Sequence, residues 1–513
     1  METNDMVIKN KKWIDYAFLF ACFLSCVITI FFTSRYSIKW IADPDAANSP
    51  IVWKEFLDYG FSAFKHWRPT FDNWYFTVYP VNFFLFFILN DTGIAPLVLS
   101  SAIFIIIINI CSAKLADHFF GKGVAILALV AVTFISPDLY MHYYGHPFSH
   151  NSTNAFGFLI LITYIFSIAS KNLVPALIIF SLCIASAASD PWILPAFILP
   201  MLLAEAYNLY LNRWRKYYFS IILVAFIISL FNIVQHVFGL PIGGFKITSI
   251  DQMIVNAHNA IILTASMLPL WISPNVYIAY AIFFVWAAVF LSASLHCIKK
   301  GGSLRMLAIF CSLSVAGIYS SSIIGDQVPH QRFYVNIAPI VLMVVSISTA
   351  ISRKYLIPLV ITVCMSLFGY LNSPYMRGEF KNPVYDYMAF MLKNNLTYGY
   401  GSFWYSMGMS VNWLSNNQIH FTPVFFDVKT GRVYFEWSRI QTLTTWHTKE
   451  FVAKGPNRQF IAVTPGSTGG DTCPDVNLCI NGVQKQIGKA DEILKYNNTT
   501  FLVYNKPIIT DIK

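Results

Sequence analysis

Residues 94–112 read IAPLVLSSAIFIIIINICS and contain no charged side chain. A helical crossing of the bilayer core needs about 20 mostly apolar residues, so this run is long enough to span a membrane. Comparable runs recur at 14–32, 123–136, 153–170, 172–189, 191–209, 217–238, 276–297, 304–323, 334–350 and 355–371. About eleven crossings are therefore expected. Composition agrees: 56% of the 513 residues are hydrophobic, 12% are charged, and the mean hydropathy is +0.55. A soluble globule carries only about 45–50% apolar residues. The expected fold class is an α-helical polytopic membrane protein, with membrane lipid as its surroundings.

In a soluble chain a net charge of +10 would suggest nucleic acid. Here Lys and Arg fall in short clusters between the apolar runs, where they read as topology determinants, and no nucleic-acid partner is expected. With the N-terminus and its Lys9, Lys11 and Lys12 in the cytoplasm, the other clusters share that side. These are Lys114 with Lys122, Lys171, Arg213-Trp214-Arg215-Lys216, Lys299-Lys300 with Arg305, and Arg353-Lys354. The stretch Tyr75 to Asn90 is apolar but short, and counting it as a crossing would turn every later cluster outward. It reads as a re-entrant or surface-lying helix. Ile14 to Phe32 is long enough to span and no small-residue cleavage site follows, so a cleavable signal is not expected.

This topology puts the first loop (33–93), the loops Ser136 to Asn151, Gly239 to Asn259 and Gly325 to Arg332, and everything after about Asn372 outside the cytoplasm. Two domains are expected: 1–372, the membrane part with its large first outer loop, and 373–513, a small α+β domain of short apolar and aromatic runs such as Ile419 to Phe426 and Phe501 to Tyr504. Cys473 and Cys479 lie in that tail. A lone C-x5-C pair lacks the second pair of a zinc site and reads as a local disulfide in an oxidising compartment. The other seven cysteines sit in or beside apolar runs and read as small core residues.

The chemistry-bearing residues lie in the outer loops. The first loop carries Asp43-Pro44-Asp45, Glu55, Asp58 and Asp72-Asn73-Trp74, and acids gathered beside a bilayer suggest a site for a polar substrate or a cation. A carboxylate within hydrogen-bond reach of a hydroxyl is a suitable general base, so Asp43 or Asp45 is the expected base and Asp72 a second acid. Acids at i and i+2 can also share a divalent cation, the one cofactor the sequence allows for. The plainer readings are an Asx turn starting a helix around Ile51 for Asp43-Pro44-Asp45, and a helix N-cap for Asp72. Glu55 and Asp58 read as the solvated face of a short surface helix.

His142, His146 and His150 at i, i+4 and i+8 would align as metal ligands on one helical face, but Pro147 breaks that helix. The loop then reads as substrate-facing, with His146 a binding candidate. At the outer end of a later span, His330 and Arg332 could steady a phosphate, the guanidinium as a planar fork of donors. Snorkelling to the headgroups, or pairing with Asp326, is the plainer role for Arg332. Arg68, in Arg68-Pro69-Thr70-Phe71-Asp72, joins the substrate-binding candidates. No phosphate-binding Gly-rich motif of the P-loop or dinucleotide kind is present, so nucleotide sugars and ATP are not expected as direct substrates.

The order of parts resembles the GT-C superfamily of membrane glycosyltransferases: a first span, a long outer loop with acids, an apolar segment at Tyr79-Pro80, a second short outer loop and a soluble tail. Those families bear an acidic motif in the first outer loop, onto which Asp43, Asp45 or Asp72 could map, and tend to place Ser-Pro and a following acid in the second. Here Ser136-Pro137 is present and Asp138 is the one acid nearby. The tail stretch Tyr398-Gly399-Tyr400-Gly401-Ser402-Phe403-Trp404, with Val411-Asn412-Trp413-Leu414-Ser415-Asn416, is similar to the stretch after the last span in bacterial polyprenyl-linked glycosyltransferases. In size and plan it is most similar to the serotype-converting O-antigen glucosyltransferases.

The resemblance implies an inverting hexosyltransferase of the bacterial inner membrane. It would move a sugar, glucose by analogy, from a polyprenyl phosphate donor to O-antigen or another surface glycan on the periplasmic face. Tyr400 and Trp404 would then stack on sugar, the plainer alternative being a buried hairpin. Two other function classes remain: a transporter or flippase of lipid-linked sugars, and a polysaccharide polymerase or ligase.

Overall fold

The computed structural model describes residues 2–268, 275–416, 418–436, 439–466 and 473–509. The side chains of Lys9, Lys11, Lys12 and Arg213, counted above among the basic clusters, lie outside the described residues. The chain divides into two compact units. The first comprises Met1–Ser37, Phe71–Val81 and Leu97–Phe380, and the second Ile38–Thr70, Asn82–Pro96 and Lys381–Lys513.

The first unit is helical. Among the described residues seven helices are long and apolar enough to cross a membrane: Trp13–Trp40, whose last residues enter the second unit, Ile94–Phe120, Leu194–Leu211, Val276–Lys300, Gly302–Ile324, Gln331–Ser348 and Arg353–Asn372. The other four expected spans are shorter helices, and local chemistry explains where they stop. Lys122–Thr133 and Pro137–Tyr144 bend by 50° at their break. There Ser136 caps the new turn through its Oγ, 3.3 Å from the backbone N–H of Asp138, and Pro137 occupies the first helical position, where its missing N–H costs nothing. Asn151–Ser167 runs 17 residues and Val174–Ser189 runs 16, the second ending one residue before Asp190-Pro191. Lys216–Leu230 runs 15 residues and stops before Asn232, which is left-handed at φ 51. Counting the bent pair as one span gives eight.

Small and hydroxylated side chains join these helices, as expected where lipid removes the hydrophobic drive for helix association. Ser25 and Thr133 hydroxyls meet at 2.7 Å, and the Asn109 amide donates to Thr29 Oγ1 at 3.2 Å. Helix Gly302–Ile324 packs on the π-helical turn Leu194–Ile198 so closely that a Cβ at Gly317 would collide with the Pro195 carbonyl oxygen. One turn away Ser314 Oγ donates to the Ala196 carbonyl.

The second unit is built on β1 (Tyr398–Gly401), β2 (His420–Pro423), β3 (Phe425–Phe426), β4 (Val433–Tyr434), β5 (Gln459–Val463), β6 (Glu492–Tyr496) and β7 (Thr499–Tyr504). Five strands form a mixed sheet in the order β2-β1-β5-β7-β6, and β3 pairs with β4. β2, β1 and β5 run parallel, and β5, β7 and β6 antiparallel. β1, β5 and β7 are buried throughout, whereas β6 is a partly exposed edge. Tyr496 pairs with Thr499, so Asn497-Asn498 forms a two-residue hairpin loop, with Asn497 at φ 49 as such turns require. Asp475 caps helix Val476–Ile487, and a disulfide joins Cys473 to Cys479 across that cap.

Candidate functional site

The site begins where helix Val174–Ser189 stops. The residue before a proline is pushed out of helical conformation, and Asp190, preceding Pro191, is extended at φ −145, ψ 105. Asp190 is 1% exposed. Its Oδ2 accepts from His150 Nδ1 at 2.6 Å and from Thr153 Oγ1, and its Oδ1 accepts from the Trp192 backbone N–H at 3.0 Å. Burial works to raise its pKa. The attraction of His150 and the hydrogen bonds from His150, Thr153 and Trp192 together outweigh that, and the carboxyl titrates below the usual carboxylate range. A carboxylate only accepts, so His150 donates through Nδ1, and in the neutral form of the ring Nε2 carries the lone pair. This is the arrangement of an oriented general base.

Aromatic rings surround the pair. The His150 ring lies 5.5 Å from Phe333, 5.7 Å from Trp192 and 6.0 Å from Trp74, and Trp192 lies 4.8 Å from Phe333. Trp74 holds φ 62, a conformation costing roughly 1–3 kcal/mol for a bulky residue. Its segment is pinned to the end of helix Val174–Ser189. The Asn73 amide donates to the Ala188 carbonyl at 2.7 Å, the Phe76 N–H donates to Ser189 Oγ at 2.8 Å, and the Trp74 N–H donates to the Ser189 carbonyl at 3.3 Å. The strain therefore buys a tryptophan face beside His150.

A second polar group adjoins this one in the first unit. Asp138 Oδ1 lies 3.5 Å from His142 Nδ1, while Oδ2 is buried with no hydrogen-bond partner among the described residues. The Tyr143 and His330 rings meet edge to face at 4.9 Å, which joins the π-helical turn Tyr140–Tyr144 to the segment after helix Gly302–Ile324. Arg332 stands with its guanidinium 5.5 Å from the Phe333 centroid, and its buried Nε has no hydrogen-bond partner among the described residues. Both amide atoms of the fully buried Asn154 are likewise without one. Buried polar atoms are normally satisfied, so these groups are available to a polar ligand.

Of the residues singled out from the sequence, Asp72, His146, His330 and Arg332 belong to this unit. Asp72 opens the pinned segment, in which Asn73 Oδ1 accepts from the Tyr75 N–H at 3.0 Å in a local turn, and the helix that follows starts at Val78. His146 Nδ1 accepts from the Phe148 N–H at 3.0 Å, in the turn that Pro147 imposes. His142 lies in a π-helical turn, Tyr140–Tyr144, and His150 just precedes helix Asn151–Ser167, so the three histidines do not share one helix. Among the described residues no group of three or more His, Cys, Asp or Glu is arranged to hold a metal ion.

Asp43, Asp45, Arg68, Tyr400, Trp404 and the two cysteines belong to the second unit. Asp43 Oδ1 accepts from the Asp45 N–H at 3.0 Å and caps the turn Pro44–Ala47, the Asx turn that Asp-Pro favours. Asp45 Oδ1 accepts from Gln441 Nε2 at 2.5 Å. Arg68 is joined through its backbone to Gln441 and Thr442. Tyr400 is 1% exposed and packs in the core of the sheet, while Trp404 is 42% exposed beside Arg439, whose guanidinium lies 3.7 Å from the Phe403 centroid. Glu55 departs from the surface position expected for it. It is buried and bonded to His66 at 2.7 Å and Thr445 at 3.3 Å, because the tail covers that face of helix Asn48–Tyr59.

No protein-family model and no curated protein matches this chain.

Asp190, Thr153 and Trp192 escaped the sequence reading. One signal was present: Asp190 is the only acid between Asp138 and Glu205, and it stands between two apolar runs. An ionisable residue in such a place needs a partner. That the partner is His150, 40 positions earlier, depends on how two helices pack.

Proposed function

We propose that the chain is a membrane glycosyltransferase moving a hexose from a polyprenyl phosphate carrier to a glycan acceptor on the periplasmic face of a bacterial inner membrane. The observation that carries this reading is the buried His150–Asp190 pair, walled by aromatic rings and adjoined by Arg332, in a unit of long apolar helices. His150 Nε2 takes the proton of the acceptor hydroxyl as the hydroxyl oxygen attacks the anomeric carbon. The bond from that carbon to the phosphate oxygen breaks, and polyprenyl phosphate leaves with the electron pair. Arg332, with His330, faces the departing phosphate and offsets its charge. Trp74, Trp192 and Phe333 offer flat faces for sugar.

The side-chain carboxylates of the first loop, Asp43 and Asp45, are the rival base; their capping and Gln441 bonds favour a structural duty. Asp72, on the segment pinned beside Asp190, stays in this reading as a rim acid for the substrate. The finer topology, about eleven crossings of GT-C plan with the tail outside, requires the four shorter helices to cross as well. The disulfide between Cys473 and Cys479 supports an oxidising side for the tail. Glucose as the sugar and O-antigen as the acceptor rest on the resemblance.

The test uses purified protein in nanodiscs, polyprenyl phosphate carrying a labelled hexose, and a lipid-linked glycan acceptor. Label in the glycan, with release of polyprenyl phosphate, is expected. Intact donor moved across a vesicle membrane, with no labelled glycan, would instead identify a transporter.

A further inference from the structure

Three helices of the first unit that carry the site at one end frame a separate cavity at the other. His150 precedes helix Asn151–Ser167, whose far end contributes Phe166. The turn Leu194–Ile198 leads into a helix that ends at Leu211, beside Asn208 and Asn212. Helix Gly302–Ile324 leads into the His330–Arg332 segment and begins at the cavity with Ser303 and Arg305. Together with His118 from Ile94–Phe120, these residues line a space of about 330 Å³. That is the size of a small-molecule site, typically about 300–1,000 Å³.

The donors of the polar lining are the Arg305 guanidinium, the His118 imidazole and the Ser303 hydroxyl, while the Asn212 amide donates to Asn208 Oδ1 at 2.9 Å and the Asn208 amide to Glu205 Oε2 at 3.3 Å. Among the described residues no carboxylate lines the space. Asp117, the residue before His118, is not among the lining residues, and Glu205, one turn before Asn208, is fully buried and taken by Arg215 through two bonds, at 2.8 and 2.9 Å, so its charge is already matched. Arg305 donates through Nε to the Ile298 carbonyl at 3.2 Å, a contact that fixes the side chain and leaves its two terminal nitrogens for another acceptor. Gly301 and Gly302 bring the chain in at φ +84 and +59, and the helix they start has no side-chain cap. Lining residues Ile165, Leu211 and Met306 are apolar, and Phe166 and Leu211 are exposed. Donors at the centre and apolar residues around them match a phosphate that carries hydrocarbon chains.

We propose that this cavity seats the phosphate headgroup of an anionic phospholipid, at the end of the helices where the basic clusters place the cytoplasmic leaflet. This rests on the membrane reading of the chain and is independent of sugar transfer. Inorganic phosphate shares the headgroup's chemistry but has no use for the apolar rim.

The experiment uses the full chain in nanodiscs of phosphatidylcholine, with or without phosphatidylglycerol, and a third sample in phosphatidylcholine with inorganic phosphate. Retained lipid is read by native mass spectrometry and thermal stability in parallel. Charge-assisted hydrogen bonds correspond to roughly 10–100-fold preference each, so phosphatidylglycerol should be retained at least about tenfold over phosphatidylcholine and should raise Tm. Arg305→Gln with His118→Gln should abolish both effects while leaving Tm in pure phosphatidylcholine unchanged, and Lys354→Gln should preserve them. If the double variant does not fold, the preference of the parent protein and of Ser303→Val decides. Equal retention of the two lipids by the parent protein, an undiminished preference in the variants, or the full Tm rise with inorganic phosphate alone would overturn the proposal.

Discussion

Asparagine at position 190 preserves the size of the side chain and exchanges one carboxylate oxygen for an amide nitrogen. In Asp190→Asn the remaining oxygen can still accept from the Trp192 N–H, which is 3.0 Å from Oδ1. The amide nitrogen then faces His150 Nδ1 across 2.6 Å, beside Thr153. An amide nitrogen only donates, so His150 must accept at Nδ1 and carry its proton on Nε2. That is the nitrogen proposed to take the acceptor's proton, and the base is lost without opening a cavity. Loss of a general base costs about 10²–10⁴-fold in rate, or roughly 3–5 kcal/mol at about 1.4 kcal/mol per decade. Arg332 and the aromatic rings are untouched, so the loss should appear in kcat with KM nearly constant. Initial rates of hexose transfer at saturating donor, with thermal unfolding as the fold control, measure it. Thr153→Val removes one donor to Oδ2 but leaves the histidine contact, and a much smaller loss is expected. A folded Asp190→Asn protein with nearly the parent rate would refute the role of the pair.

Three further outcomes follow from the packing and charge. Gly317→Ala places a methyl against the Pro195 carbonyl and should destabilise the protein by about 1–3 kcal/mol, read as a lower Tm in detergent, with reduced transfer because the same turn follows Asp190. Arg215→Met leaves the Glu205 carboxylate buried without its cation, still bonded to the Asn208 amide at 3.3 Å, at a cost of about 3–5 kcal/mol; adding Glu205→Leu should restore most of the lost Tm. His420 has its pKa pushed down to about 3 by burial first and then by Lys54 and His447. Its folded value lies below the unfolded one of about 6.5, so unfolding takes up a proton between the two values. Its contribution is whole above pH ~6.5 and shrinks as pH falls toward 3, by about 2 kcal/mol at pH 5. Hydrogen-exchange protection of β1 and β2 in the full chain should fall between pH 7 and 5, and His420→Gln should flatten that slope.

Length and local chemistry made much of the fold legible. An uninterrupted apolar run such as 94–112 has few alternatives to a long helix, the strand His420–Pro423 lies within the run Ile419 to Phe426, and the strand Thr499–Tyr504 takes in the run Phe501 to Tyr504. The cap at Asp43 was readable because an Asx turn needs only its own neighbours. Helix ends were harder: Asp72 and Asn73 both suit a cap, but Asn73 and Trp74 are pinned to Ala188 and Ser189 and the helix starts only at Val78. Glu55 looked exposed because its partner Thr445 lies 390 positions away. The strand order β2-β1-β5 joins segments that no local pattern connects. Within the site, His330 and Arg332 stand out as basic residues in a loop between apolar runs, whereas Asp190 is one acid in an apolar stretch until packing gives it His150 and Thr153.

The most direct measurement compares transfer of labelled hexose from polyprenyl phosphate by the purified parent protein, His150→Gln, Asp43→Asn and Asp45→Asn, each shown to be folded. With His150 as the base, His150→Gln should fall by about 10²–10⁴-fold while Asp43→Asn and Asp45→Asn stay within about tenfold of the parent. Loss confined to Asp43→Asn or Asp45→Asn, or no transfer by the parent protein, would contradict it.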